Sequence, residues 1–152
     1  MSFESQRSYL GSRMKQVDTG LPMAFPNVKF DRPKDAPYGE FHIMGGDFYY
    51  KEIMGASPTA GMVRVKVCYT PMLQMTIWIP EEGKEGPATR AADALHQRFA
   101  NRQGFDDSGD FYRFKTVQPI TPQSTKQGWK AYIFRIPFTR DTIEEVPIGL
   151  TL

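Results

Sequence analysis

Hydrophobic and polar positions alternate most cleanly over residues 62–69. Val63, Val65, Val67 and Tyr69 face one way, and Arg64, Lys66 and Cys68 face the other. A period of two is the signature of a strand with one buried face. The same alternation predicts strands at 39–44, with Phe41 and Ile43 opposite Glu40 and His42, and at 73–79, with Leu73, Met75, Ile77 and Ile79 together. Pro71 divides 62–69 from 73–79, because proline cannot donate to a ladder. Residues 111–117 and 129–138 also read as strands. In the latter, Trp129, Ala131 and Ile133 share one face, while Tyr132, Phe134, Ile136 and Phe138 share the other. Apolar groups on both faces predict a central or interface strand. Gly45-Gly46-Asp47 reads as a turn, after which Phe48, Tyr49, Tyr50 and Ile53 continue the sheet as a hairpin arm.

A period near 3.6 marks two helices. Over 87–102, Ala88, Ala91, Ala92, Leu95 and Phe99 form one apolar stripe behind Pro87, with Gly104 as the stop. His96 sits beside Leu95 on this helix and reads, like His42, as a structural surface histidine, partly buried at most. Over 2–16, Ser2 is placed to cap, Glu4 suits the first turn, and Phe3, Leu10 and Met14 share a stripe. Between these periodic pieces, Pro22, Pro26, Pro33 and Pro37 forbid a long helix, and Asn27–Phe30 is a short edge piece. Residues 118–128, with Pro119 and Pro122, read as a loop, and 140–152 as an extended tail behind a single domain spanning 1–139. The order helix, strands, helix, strands predicts an α+β fold, a mostly antiparallel (mixed) sheet with two main helices packed on one face.

Composition fits this reading. The chain has 152 residues, 40% apolar and 24% charged, enough for one domain with a core and too apolar for disorder. There is no apolar run of about 18 residues, so no membrane span is expected. The first residues lack the basic-then-apolar pattern of a secretory signal. The 12 Pro, 13 Gly and 20 aromatic rings predict short fenced elements and rings in need of packing partners.

Charge is balanced: 9 bases and 7 acids in residues 1–76, 10 and 10 in 77–152. That is not the basic excess of a nucleic-acid binder. Glu81, Glu82 and Glu85, relieved by Lys84, form one acidic patch; Asp106, Asp107 and Asp110 form another; Asp141, Glu144 and Glu145 a third. Arg90, Arg98 and Arg102 lie between the first two.

Candidate chemistry is sparse. His42 and His96 stand alone, without the tight pairs that hold zinc, so no metal or cofactor is expected. The single cysteine, Cys68, excludes an intrachain disulfide and lies mid-strand with no activating helix terminus. Paired acids fall in polar loops, where nothing raises a carboxyl pKa for acid–base work. Two aromatic-basic clusters remain, Phe48-Tyr49-Tyr50-Lys51 and Phe111-Tyr112-Arg113-Phe114-Lys115. Such strands either pack in a core or hairpin, stack single-stranded bases, or meet a protein partner.

The layout resembles the tail terminator (tail completion) proteins of long-tailed bacteriophages. The resemblance rests on several segments over roughly 5–138. These are an N-terminal helix carrying Arg13, Asn27-Val28-Lys29-Phe30 followed by Pro33, and Gly61-Met62-Val63-Arg64-Val65-Lys66-Val67. Two more follow: Gly86-Pro87-Ala88-x-x-x-Ala92-Asp93-x-Leu95-x-x-x-Phe99, and an aromatic strand from Trp129 to Phe138. It implies a sheet backed by helices and a structural, non-enzymatic protein. It further implies a homo-oligomeric ring, a hexamer, that caps the tail tube, stops its polymerisation and faces a neck or head-completion protein, with DNA passing through the bore unread. The location implied is the virion, at the tail–neck junction, after assembly in the host cytoplasm. Other readings stay open: a neck, head–tail connector or tail tube protein, a single-stranded nucleic-acid binder, or a small enzyme using Cys68 or a histidine.

A ring needs two unlike, complementary patches on each subunit. Exposure and charge place them at Phe48, Tyr49, Tyr50 and Lys51 of the arm, at Glu81, Glu82, Lys84 and Glu85 of the acidic loop, at Arg98 and Arg102, and at Arg140 and Asp141 in the tail.

Overall fold

The computed structural model describes residues 3–125 and 127–148. In chain order the elements are α1 (Phe3–Met14), β1 (Met23–Ala24), β2 (Tyr38–Ala56), β3 (Met62–Pro80), α2 (Gly86–Phe99), β4 (Gln103–Phe105), β5 (Phe111–Phe114), β6 (Gln118–Ser124) and β7 (Trp129–Pro147). One mixed sheet runs β1-β2-β3-β7-β5-β4, and β6 also pairs with β7. Only the short β1–β2 pair is parallel. The class is α+β, dominated by strands.

Three strands of 19 residues form the backbone of this sheet. The two strands expected at 62–69 and 73–79 are one strand, β3. Pro71 does not break it because the ladders are interrupted there. Towards β2 the register shifts between Met44↔Met72 and Asp47↔Thr70. Towards β7 pairing passes from Tyr69↔Arg140 to Met72↔Pro137. The missing N–H therefore falls at an interruption. Gly45-Gly46-Asp47 is that bulge, not a turn. At Gly46 the backbone crosses so close to the Thr70 carbonyl that a Cβ would overlap it.

The core joins both helices to the sheet. Leu10 and Met14 of α1 and Ala88, Ala91, Leu95 and Phe99 of α2 share one buried cluster with Leu73, Met75, Ile77 and Ile79 of β3. Tyr112, Phe114, Ile136 and Phe138 complete it. Each fully buried large apolar side chain contributes about 1.5–3 kcal/mol. The α2 stripe is the expected one except at Ala92, which is half-buried, and His96 is an exposed surface histidine, as read. Phe3 departs from the reading of α1: it is 73% exposed, about two turns before Leu10, the first residue of the helix to be buried in the core. The expected cap, Ser2, lies outside the described residues. Helix α2 stops at Phe99, short of Gly104, because Asn101 makes the left-handed reversal at φ 57° and Gly104 belongs to β4.

Two stretches read as irregular are strands. Residues 118–124 pair with β7 from Lys130 to Arg135, and Pro119 and Pro122 are tolerated because β6 is an edge with a register shift between Ile120 and Gln123. At the C-terminal end, β7 continues unbroken to Pro147, so 140–147 is sheet where an extended tail was expected. Residues 149–152 lie outside the described residues. As the apolar pattern of 129–138 foretold, β7 is central, with β3 on one side and β6 and then β5 on the other.

Beyond Pro71 the three long strands run on as an arm. Val65, Val67 and Val146, with Val63 and Tyr69 against them, form its own small cluster. Pairing of β1 with β2 covers only Gly39 and Glu40, and β5 leaves β7 at Asp141. The outer sides of the arm therefore have no strand partner among the described residues.

Candidate functional site

Arg140 lies in β7 with its side chain fully buried, at 0% exposure. Its Nε and Nη2 donate to Asp110 Oδ2 at 2.9 and 2.6 Å, and Nη2 also reaches Asp106 Oδ2 at 3.2 Å. Nη1 donates to Gln6 Oε1 of α1 at 3.3 Å, and the guanidinium carbon stands 5.3 Å from the Tyr112 ring centre. Arg140 is thus an internal tie between α1, the β4–β5 connection and the sheet, and it is not free for a partner. A charge within an apparent polar tail gave no sign of this.

The same cluster overturns the reading of Asp106 and Asp110 as solvated patch residues. Asp106 closes the turn into β5: its Oδ1 accepts from the Ser108 N–H and hydroxyl and from the Asp110 N–H, and its Oδ2 from the Tyr112 hydroxyl at 2.8 Å. Burial works against the charged form of Asp106. The bonds from Ser108, Tyr112 and the Asp110 N–H, with the charge of Arg140, outweigh it and hold the carboxyl below its usual range. In sequence the only hint is Asp-x-Ser, the pattern of an Asx turn. Tyr112 and Phe114 are buried, so these two rings offer no base-stacking platform.

The arm keeps its rings outside. Phe48, Tyr49 and Tyr50 are 52, 50 and 37% exposed, with Ile53 and Met54 beyond them. Phe48 packs on Tyr69 at 5.5 Å and meets Tyr50 edge-on at 6.0 Å. Lys51 and Asp141, both expected at an interface, pair with each other at 3.1 Å across the arm. Next to this pair, burial pushes the Cys68 thiol up, with the Tyr49 hydroxyl pulling the other way. An inert buried thiol is the outcome.

Glu81, Glu82, Lys84 and Glu85 are all exposed in the β3–α2 loop, none with a salt-bridge partner among the described residues. Arg98 and Arg102 are exposed at the other end of α2. They line a groove of about 720 Å³ with Ser8, Tyr9, Ser12 and Arg13 of α1, and Asp107 at its margin. Arg13 stands 5.0 Å from the Tyr9 ring centre and 5.9 Å from that of Phe114. The α1 half of the groove was missed in sequence, although Ser5, Ser8 and Ser12 recur at helical spacing on one polar face. The site residues thus fall into three places: arm, acidic loop and arginine groove. Arg140 and Asp141 belong to internal pairs.

Among the described residues no group of three or more His, Cys, Asp and Glu side chains is placed to hold a metal ion, and no helix is long and apolar enough to cross a membrane.

Comparison with known proteins agrees with the layout. No curated protein matches the chain at a significant level. One solved structure is 20% identical, covers 97% of this chain and 99% of its own, and superposes with a TM-score of 0.58, which shows a shared fold. The family model described as phage tail terminator protein matches residues 7–138. The chain therefore belongs to the phage tail terminator protein family, a family of structural proteins of the virion.

Proposed function

We propose that the protein assembles as a homo-oligomeric ring, a hexamer, that caps the finished tail tube, stops its polymerisation and presents the surface to which a neck or head-completion protein joins. The observation that carries this is the unlike character of the exposed patches. The arm offers apolar rings, the β3–α2 loop offers glutamates, and the groove offers arginines. Unlike patches on one subunit suit a heterologous, head-to-tail contact, and such contacts close into rings when the rotation permits. The near-neutral charge, +2 for the chain, suits a bore through which DNA slides without being held. The place of action would be the tail–neck junction.

A mass measurement with a low-resolution image tests the reading. Six copies of 17.3 kDa give about 104 kDa, and a six-fold ring with a central hole is expected. A protein that stays monomeric at every concentration, and does not cap purified tail tubes, would reject it.

The outer side of β2 beyond Glu40, which has no strand partner among the described residues, favours one competing reading, that of a tube subunit whose sheet continues into its neighbour. Self-polymerisation into tubes would select it over the ring.

A further inference from the structure

We propose that the arginine groove between α1 and the end of α2 receives the acidic β3–α2 loop of a second copy of this chain. The inference rests on the ring reading and supplies one of its contacts.

The groove has the chemistry of a carboxylate receptor. Arg13, Arg98 and Arg102 line it against the single carboxylate of Asp107. Arg102 is steadied by a 3.2 Å bond from Nη2 to the Gln97 carbonyl, and Arg13 by its stacking on Tyr9. Arg98 has no partner among the described residues. Arginine's planar fork suits carboxylates, and bidentate pairs of this kind are among the stronger charge-assisted bonds. Tyr9 adds a second sign: its hydroxyl is buried beside the Arg13 guanidinium, and among the described residues no acceptor is placed for it. Arg13 can only donate, so what the hydroxyl lacks is an acceptor. An incoming carboxylate would supply one.

The occupant follows from charge and geometry. Glu81, Glu82 and Glu85 form the exposed acidic loop, relieved only by Lys84. That loop precedes α2, while Arg98 and Arg102 stand at its other end, so the 14 residues of the helix separate loop from groove by about 21 Å. The loop cannot fold back into the groove of its own chain across that distance. It can enter a neighbour's groove, which leaves that neighbour's loop free for the next copy. The contact is heterologous and repeats around a ring.

Charge reversal tests this on the full chain. Arg98→Glu with Arg102→Glu, or Glu81→Lys with Glu82→Lys, is expected to move the monomer–ring midpoint to at least about tenfold higher protein concentration, because like charges now face each other. The chain carrying all four changes is expected to recover the ring. Near-ultraviolet circular dichroism separates lost assembly from lost fold. As a second measurement, Glu82→Cys with Arg98→Cys in one chain should give a ladder of disulfide-linked multimers under oxidation. Rings that form equally well in every variant, with no ladder, overturn the pairing and leave the ring reading standing. A wild-type chain that never assembles, alone or on tail tubes, overturns both. Oligonucleotide binding that is lost on reversing the arginines, while assembly is unchanged, reassigns the groove to phosphate and overturns the proposal.

Discussion

Arg140 and Asp110 form an ion pair with an Nη2–Oδ2 distance of 2.6 Å, on a guanidinium with no exposure to solvent. Asp106 and Gln6 occupy further donors of the same guanidinium. A buried charge held in this way stabilises the fold chiefly through the cost of leaving its partners unpaired. Arg140→Ala would leave two buried carboxylates without their cation, and should cost about 3–5 kcal/mol in a denaturant titration. Asp107→Ala, beside the cluster but exposed, serves as the control and should change stability by less than about 0.5 kcal/mol.

Acid should act through the same cluster. The folded pKa of Asp106 lies below its unfolded value. Its contribution is therefore complete above the unfolded carboxylate value of about 4 and is lost as the pH falls through the lower folded value. Stability measured from about pH 5 to pH 2 should decline in the wild type, and less steeply in Asp106→Asn, which starts from a lower plateau. Parallel profiles would show that Asp106 is not one of the titrating groups.

At Gly46 the requirement is space. A Cβ there would overlap the Thr70 backbone carbonyl, so β2 and β3 must move apart at the bulge opposite Pro71. Gly46→Ala should destabilise the chain by about 1–3 kcal/mol, with amide exchange rising first in 47–56 and 62–70. Gly45→Ala, where a Cβ would meet nothing within 4 Å, should be far milder.

Cys68 should behave as a packed residue. Burial raises its thiol pKa, so the native protein at pH 8 should react with a disulfide reagent much more slowly than the unfolded protein. Cys68→Ala should assemble as the wild type does. Fast native labelling would contradict the buried placement.

The arm rings should matter to assembly more than to folding. Phe48 and Ile53 are 52 and 62% exposed, so Phe48→Ser with Ile53→Ser should change monomer stability by less than about 1 kcal/mol. Loss of the ring, seen as a fall in mass at unchanged melting temperature, is expected if these groups are covered by a neighbour. An unchanged mass would exclude the arm from the interface.

Local periodicity was enough for much of this protein. The valine alternation of β3, the apolar stripe of α2, the central position of 129–138 and the exposed hairpin arm were all legible, because each follows from which side of one element is apolar. The family resemblance was legible for the same reason, since it rests on the order of those elements. The tertiary structure decided the rest. Pro71 reads as a break until its neighbours are seen to leave the ladder open beside it. Pro119 and Pro122 read as a loop until β6 is seen to be an edge. Arg140, Asp106 and Asp110 look like surface charges, because the partners that make their burial tolerable come from α1, the turn into β5 and β7. The groove of Tyr9, Arg13, Arg98 and Arg102 has the same origin. A charged side chain carries no local mark of whether it meets water or another charge; only the packing of elements distant in sequence settles which.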